Sequence, residues 1–235
     1  MGTFRFRQFD IEHSASAMKV GTDGVLLGAW AEIPHQAQSI LDVGTGSGLI
    51  ALMMAQRTLS AKITAIEIDS TAANEAVGNV NRSPWADRIE VICGDFISAC
   101  SDTKYDLIVS NPPFFTEELR SPDSRRALAR HGGTLNPLNL IRKASDMLTL
   151  DGSVAFIAPS SLDDEVSFTA SLCRLNLMRQ THVCTRQGKQ PSRTLWQLTP
   201  SDVAAQRDTI SIRDTANQYT GQYLNLVNHF YLWLK

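Results

Sequence analysis

Residues 105–114 read Tyr-Asp-Leu-Ile-Val-Ser-Asn-Pro-Pro-Phe. The first six form a short apolar run, which is typical of a buried strand in a parallel sheet. The two prolines end that strand, because proline has no backbone N–H to donate to a sheet ladder. The strand therefore ends in a polar amide, a stiff turn and an aromatic ring. Ligands of open α/β sheets bind at this carboxyl edge.

The four residues Asn111, Pro112, Pro113 and Phe114 suit the activation of an amine whose lone pair is delocalised. The Asn111 side-chain oxygen and the Pro112 carbonyl can each accept one hydrogen of such an amine, while the Phe114 ring stacks on its planar group. No titrating side chain is needed, so the effect would come from positioning and preorganised dipoles. The alternative is a plain turn, since Asn and Pro are common turn formers.

A glycine-rich turn follows an earlier apolar strand, at 39–43. That strand contains Asp42, and the turn carries Gly44, Gly46 and Gly48 ahead of a predicted helix. Strand, glycine turn and helix together favour a nucleotide cofactor, because glycines let a ligand approach the backbone beside a helix N-terminus. The spacing departs from the GxGxxG fingerprint of dinucleotide binding, so the motif alone is a weak signal.

Acidic residues follow the next two predicted strands. Glu67 lies about 20 residues after the glycines, where a carboxylate can bind ribose hydroxyls; the alternative is a solvated acid at a strand end. Asp95 and Phe96 suit an adenine, with the carboxylate on the exocyclic amine and the ring on the base, although Asp95 could equally cap a helix. Cys93 ends an apolar run and is expected in the core.

Two further segments have open interpretations. The turn from Gly21 to Gly24 places Thr22 and Asp23 either as helix caps or facing a ligand. Residues 116–133 hold the one basic cluster, which is a solvated surface or a contact for a phosphate backbone. Its members are Arg120, Arg125, Arg126, Arg130 and His131.

Composition limits the classes of function. The 235 residues are 43% hydrophobic with a net charge of −2, which is ordinary for a globular domain and gives no overall basic character. A nucleic acid would therefore need a local basic patch. The four cysteines show no metal spacing, so neither a zinc site nor a disulfide framework is expected. No run is long enough to span a membrane, and we expect a cytoplasmic protein with one domain, 1–235.

Strands and helices alternate along the chain, which predicts a parallel, doubly wound sheet. The segments at 4–9 predict an edge strand or hairpin, and the apolar stripe from Tyr223 to Leu234 predicts a C-terminal helix. Further helices are expected at 49–57, 71–81, 136–148 and 161–176, and three short strands at 177–185, 193–198 and 209–212.

The motifs fall at successive strand ends, in the order Asp42 with the glycines, Glu67, Asp95 and the Asn-Pro-Pro-Phe segment. This order resembles the class I S-adenosylmethionine-dependent methyltransferases, in particular the group that methylates amines. The resemblance implies a Rossmann-like, seven-stranded, mostly parallel sheet whose last strand is antiparallel. It also implies S-adenosylmethionine as the methyl donor and no metal.

A closer resemblance rests on residues 18–30, 81–89 and 230–232 and on the basic segment 126–130. They are similar to the bacterial valine tRNA adenine-N6 methyltransferases, whose target is the adenine immediately 3′ of the anticodon, position 37. This chain has Phe114 where those enzymes tend to carry tyrosine, so a role for a tyrosine hydroxyl is excluded.

That resemblance also implies roles for individual residues. It implies that residues 1–30 form an N-terminal extension covering the cofactor site, and that the partner is tRNA, through its anticodon stem-loop. The implied cofactor-binding residues are Thr22, Asp23, Asp42, Gly44, Gly46, Gly48, Glu67, Asp95 and Phe96. The implied residues for the target adenine are Asn111, Pro112, Pro113 and Phe114, and those for RNA are Lys19, Arg126 and Arg130.

Other acceptors fit the same local chemistry. Guanine N2 in ribosomal RNA and the side-chain amide of a protein glutamine are both poor nucleophiles that an Asn-Pro-Pro-Phe edge suits. A non-catalytic RNA-binding module that keeps the fold is a third alternative. The oligomeric state stays open.

Overall fold

The computed structural model describes residues 2–14, 19–99, 102–113 and 134–233. Phe114, Arg126 and Arg130, which have predicted site roles, lie outside the described residues. So do the other members of the basic cluster and Leu234.

Ten strands and six helices are present in the described part of the chain. The strands are β1 (Thr3–Arg5), β2 (Asp10–Glu12), β3 (Ser39–Val43), β4 (Lys62–Glu67), β5 (Ile89–Cys93), β6 (Tyr105–Ser110), β7 (Leu148–Pro159), β8 (Asn176–Arg186), β9 (Arg193–Thr199) and β10 (Gln206–Arg213). The helices are α1 (Thr22–Trp30), α2 (Leu49–Arg57), α3 (Ser70–Asn81), α4 (Pro137–Ser145), α5 (Asp163–Leu172) and α6 (Gly221–Val227), with a 3-10 turn at Ser160–Leu162.

The central sheet has the strand order β5-β4-β3-β6-β7-β9-β8-β10. Only β9 runs against the others, antiparallel to both β7 and β8. The predicted fold class, a Rossmann-like, mostly parallel sheet with its last strand antiparallel, is confirmed, except that the antiparallel strand is β9, the last but one along the chain. The number of strands differs: the described residues contain eight in this sheet rather than seven, because β10 adds to β8 in parallel.

Both faces of the sheet are buried, as expected for parallel strands covered by helices. On β3 the adjacent residues Ile40 and Leu41 belong to different hydrophobic clusters. One cluster takes residues from α1, α2, α3 and α6, and the other from α4 and α5. The sheet is therefore the middle layer of three.

The carboxyl ends of β3, β4 and β6 meet at one edge, because β3 pairs in parallel with both neighbours. The Ser110 hydroxyl donates to the Val43 carbonyl over 2.8 Å and ties the end of β6 to that of β3. This edge carries Gly44, Glu67 and Asn111, which are more than 60 residues apart from first to last along the chain.

Two expectations from sequence need correction. Cys93 is exposed rather than buried, because β5 is the edge strand of the sheet. The C-terminal helix ends at Val227, and the apolar stripe continues as a bridge between Phe6 and Tyr231. The N-terminal hairpin, β1 with β2, is confirmed. Within the described ranges, every helix is too short or too polar to span a bilayer.

Candidate active site

A cavity of about 380 Å³ opens at the carboxyl edge of β3 and β6. Three segments form its wall: the turn before α1, the glycine loop after β3, and the residue that follows β6. The wall residues are Lys19, Val20, Gly21, Thr22, Asp23, Gly24, Gly44, Thr45, Gly46, Ser47, Leu49, Ile50 and Asn111. The structure thus brings six predicted site residues into one wall, namely Lys19, Thr22, Asp23, Gly44, Gly46 and Asn111.

The glycine loop has a backbone that other residues rarely adopt. Gly46 has φ +56 and Gly48, the N-cap of α2, has φ +86, and both values lie in the left-handed region that favours glycine. A Cβ added to Gly46 would meet no atom within 4 Å. The space above Gly46 is therefore open, and a ligand can approach its backbone there.

The end of β4 holds this loop in place. The Ile66 carbonyl accepts from the amides of Gly44 and Thr45, over 2.9 and 3.1 Å. The Glu67 carboxylate accepts from the amides of Gly46, over 2.9 Å, and Asp69, over 3.0 Å. Glu67 is half-buried beside the loop. Its carboxylate therefore contacts a wall residue, Gly46, but Glu67 is not itself a wall residue.

Asp42 lies beneath the loop and has no exposed surface. Its Oδ2 accepts from the Thr45 hydroxyl over 2.5 Å and from the Ala51 amide in α2 over 2.9 Å. Burial raises the pKa of Asp42 from 3.8 to about 7; the bonds from Thr45 and Ala51 oppose that shift, and the charge of Glu67 adds to it. Asp42 therefore acts on the cavity through the loop that it supports.

Asp95 and Phe96 lie outside the wall of the cavity. The Asp95 carboxylate accepts from the Ile97 amide over 2.9 Å and from the Ser98 hydroxyl over 2.5 Å, which is the cap-like geometry that sequence left open. The residues after it form a turn rather than a helix. Phe96 is only 4% exposed and belongs to a core cluster with Val43. Its ring is a core element, which leaves its backbone rather than its ring for a ligand.

The capping alternative for Thr22 and Asp23 is not observed. The N-cap of α1 is Gly21, and no side chain caps this helix. Asp23 instead accepts from Arg193 Nε over 3.0 Å, an ion pair in which both side chains are about one-third exposed. Sequence reasoning missed Arg193, because nothing local marks a residue whose partner lies 170 positions away.

Asn111 lies close to the first turn of α1. A Cβ placed on Gly24 would come within 4.0 Å of Asn111 Nδ2 and 3.1 Å of Leu49 Cδ2. Pro112 is buried and Pro113 half-buried, so the two prolines of the turn after β6 pack into the protein rather than project into solvent. Asn111 is thus the residue of this turn that faces the cavity.

Several wall residues have no predicted role. Val20, Leu49 and Ile50 are apolar wall residues. Apolar side chains at such positions indicate packing, so nothing in the sequence was a reason to place them at a ligand. Thr45 and Ser47 lie between the glycines and could have been noted from that position alone. Lys19 is in the wall, but its Nζ donates to the His13 and Ser14 carbonyls, over 2.5 and 3.3 Å.

Comparisons with known sequences agree over nearly the whole chain. Residues 13–184 match the family model of the Methyltransferase small domain. The chain is 44% identical to the tRNA1(Val) (adenine(37)-N6)-methyltransferase of Bacteroides thetaiotaomicron over 99% of its own length and 98% of that protein. It is 42% identical to the protein of the same name from Aeromonas hydrophila, over 97% of each chain.

Solved structures resemble the chain in fold. A predicted O-methyltransferase from Agrobacterium tumefaciens has a TM-score of 0.70 at 20% identity, and the match covers 88% of this chain and 96% of that one. The ribosomal protein L11 methylase from Lactobacillus delbrueckii subsp. bulgaricus has a TM-score of 0.52 at 17% identity, covering 76% and 77%. At these identities the likeness concerns the fold alone.

Proposed function

Because this chain belongs to the family of tRNA1(Val) (adenine(37)-N6)-methyltransferases, we propose that its carboxyl-edge cavity performs the reaction of that family. The chain is an S-adenosylmethionine-dependent methyltransferase whose acceptor is N6 of adenine 37 in valine tRNA. The observation that carries the assignment of the site is the position of Asn111 in the same wall as Gly44 and Gly46. We assign the anticodon stem-loop as the part of the tRNA that reaches this wall.

The residues present fit S-adenosylmethionine. A cavity of about 380 Å³ is of the size that holds a small ligand, and the open space above Gly46 admits one against the backbone. Gly44, Gly46 and Gly48 would line its methionine and ribose, and Glu67 would accept from ribose hydroxyls. Thr22 and Asp23 would close over the methionine end, and Asp95, with the backbone of Phe96, would take the adenine. When bound, S-adenosylmethionine supplies an electrophilic methyl group on its sulfonium sulfur.

Asn111 and Pro112 orient the acceptor amine. The Asn111 side-chain oxygen and the Pro112 carbonyl each accept one N6 hydrogen, which localises the nitrogen lone pair and aims it into the cavity. Phe114 would stack on the adenine. The adenine must leave its stack to reach this edge, at a cost of about a few kcal/mol, and of less for an unpaired loop base.

The N-terminal residues belong to the same unit. We assign residues 1–30 as an extension of a single methyltransferase domain that covers the cofactor site, since Lys19 to Gly24 form one side of the cavity. Arg126, Arg130 and Lys19 would bind phosphates of the tRNA.

The role of Asn111 is tested by separating chemistry from binding. Wild type should transfer labelled methyl from S-adenosylmethionine to an unmodified valine tRNA transcript. Asn111→Ala should lower kcat by roughly 100-fold or more, as for the loss of one preorganised polar group. Its Kd for S-adenosylmethionine should stay within about 3-fold of wild type, because donor contacts come from other segments.

Asn74→Ala is the matched control, because Asn74 is an exposed residue of α3. It should leave both kcat and Kd unchanged. An Asn111→Ala enzyme with wild-type kcat would remove Asn111 from the mechanism. Wild type that binds S-adenosylmethionine but methylates no RNA or protein would favour the non-catalytic alternative.

A further inference from the structure

A second cavity, of about 360 Å³, adjoins the active site. Thr22 lies in the walls of both cavities, so the two are neighbours. The other wall residues of the second cavity are Thr185, Arg186, Ile212, Arg213, Asn217, Tyr219 and Tyr223. They come from the ends of β8 and β10 and from α6 with the segment before it.

The sheet places two arginines at this cavity. Arg186 ends β8 and Arg213 ends β10, and the two are register partners in the parallel ladder. Both strands run in the direction of β3 and β6. Their ends therefore lie at the edge of the sheet that carries the active site, which is where a substrate extending beyond the reacting base would continue.

Both guanidinium groups bind neutral partners. Arg186 Nη2 donates to the Asn217 side-chain oxygen over 2.8 Å, and Arg213 Nη1 donates to the Asn217 carbonyl over 2.7 Å. Within the described ranges, neither arginine forms an ion pair with a carboxylate. The nearest acid along the chain, Asp214, accepts from the Gln218 amide. Two positive charges are thus available to an anionic ligand.

Aromatic rings line the same cavity and continue to the surface. Tyr219 stacks on Tyr223 at 5.1 Å and on Trp233 at 5.2 Å between ring centroids. The Arg213 guanidinium lies 4.2 Å from the centre of the Tyr219 ring. Trp233 also packs on Tyr231, at 5.2 Å between ring centroids, and is 51% exposed, so part of its indole surface is open to solvent. Guanidinium groups beside an open aromatic ring are the combination that binds phosphates and unpaired bases of RNA loops.

We propose that this cavity is a second RNA subsite, which holds an unpaired nucleotide next to the target adenine. The phosphate of this nucleotide binds Arg186 and Arg213, and the base of the same nucleotide stacks on Trp233. The proposal rests on the proposed function, because the tRNA substrate supplies the RNA. The subsite contributes affinity and position but no reacting group. A chain of net charge −2 needs such a local patch to hold RNA.

Binding of RNA measures the subsite directly. The probe is an anticodon stem-loop oligoribonucleotide of valine tRNA, and its Kd is measured for wild type and for two variants. Trp233→Ala removes the stacking surface, and Thr185→Glu adds a negative charge to the cavity wall. Each should raise Kd by about 5-fold or more. Neither side chain makes a hydrogen bond within the described part of the chain, so both variants should fold.

Kinetics and salt dependence give a second measurement. Arg186→Gln and Arg213→Gln should each lower the slope of log Kd against log salt concentration by about 0.7. All four variants should raise KM for valine tRNA with kcat and the Kd for S-adenosylmethionine within about 2-fold of wild type. The controls are Gln206→Glu, at the opposite end of β10, and Phe168→Ala, an exposed ring on α5; neither should change Kd for RNA.

The outcomes separate this proposal from the proposed function. Trp233→Ala and Thr185→Glu proteins with the RNA affinity of wild type would overturn the subsite, even if wild type methylates valine tRNA. Failure of wild type to methylate that tRNA would overturn the proposed function. The Kd measurements would then still decide whether RNA binds at this cavity.

Discussion

Asp42 supports the glycine loop of the candidate site without lying in the cavity wall. Its carboxylate receives the Thr45 hydroxyl and the Ala51 amide, and so joins the glycine loop to the first turn of α2. A helix N-terminus favours a negative charge, but complete burial opposes it. The balance leaves the pKa of Asp42 at about 7. The charge of Asp42 therefore changes when the pH passes through neutrality.

That pKa predicts a pH dependence of stability. The folded-state pKa lies above the unfolded one, so the contribution of Asp42 is fully present below pH 3.8 and is lost as the pH rises through about 7. Asp42→Asn removes this titration. The free energy of unfolding of wild type relative to Asp42→Asn should therefore fall by roughly 1 kcal/mol per pH unit between pH 5 and 7.

Urea unfolding of both proteins at pH 5, 6, 7 and 8 measures this difference. Asp202→Asn, which changes an exposed carboxylate, should run parallel to wild type. A constant difference between wild type and Asp42→Asn across this range would show that Asp42 keeps one charge state throughout.

For single residues, the sequence predicts which residue types belong to the site better than it predicts where their side chains point. Gly44, Gly46 and Asn111 lie in one wall as expected, because strand ends and backbone freedom follow from local sequence, whereas Gly48 lies outside that wall, against Ala76. The prediction for the Phe96 ring fared worse, because an aromatic residue beside an acid suits both a ligand and the core. Burial of Phe96 depends on what α4 and β6 place over it, which local sequence does not contain.

Among the elements, α1 and β9 are joined by the ion pair of Asp23 with Arg193. Asp23 lies in the first turn of α1, where its charge also favours the helix N-terminus. The pair holds the turn that forms one side of the cavity against a strand from the other half of the chain. The position of that turn therefore depends on β9.

Breaking this pair should loosen the cofactor site. Because both side chains are about one-third exposed, their coupling should be small, about 0.5–1 kcal/mol. We expect Arg193→Gln to raise the Kd for S-adenosylmethionine by about 2- to 5-fold. In a double-mutant cycle, Arg193→Gln should raise this Kd by a smaller factor in the Asp23→Asn protein than in wild type.

Isothermal calorimetry on the four proteins of the cycle gives the coupling energy. Arg5→Gln, which breaks an exposed pair with Asp10 in the N-terminal hairpin, is the control and should leave Kd unchanged. Strictly additive effects of Asp23→Asn and Arg193→Gln would mean that the pair does not position the turn.

Element type was predicted well, and element ends and neighbours less well. The apolar runs of β3, β4, β6 and β7 were evident because buried parallel strands are apolar on both faces. The order of strands cannot be read from such runs, so the exposure of Cys93 on the edge strand was missed. The predicted C-terminal helix was too long, because the stripe that suggested it also packs as an extended segment against Phe6.

Across the whole molecule, the carboxyl edge of the sheet carries the residues of both proposed sites. The glycine loop and Asn111 lie towards its middle, and the Arg186 and Arg213 ends lie on its far side. The segment after β1 also contacts the segment after α6, since Arg7 N donates to the Phe230 carbonyl over 2.8 Å. Trp233 follows shortly after this contact and stacks on Tyr219, a wall residue of the second cavity.

We predict that this edge presents N6 of adenine 37 in valine tRNA for methylation. The test is to incubate the protein with labelled S-adenosylmethionine and, separately, with valine tRNA transcript, the same transcript with guanine in place of adenine 37, ribosomal RNA and cell protein. The products are digested and identified by mass. We predict N6-methyladenosine from the first transcript and no label in the other three. Labelled N2-methylguanosine, labelled glutamine, or N6-methyladenosine from the guanine-substituted transcript would overturn this assignment.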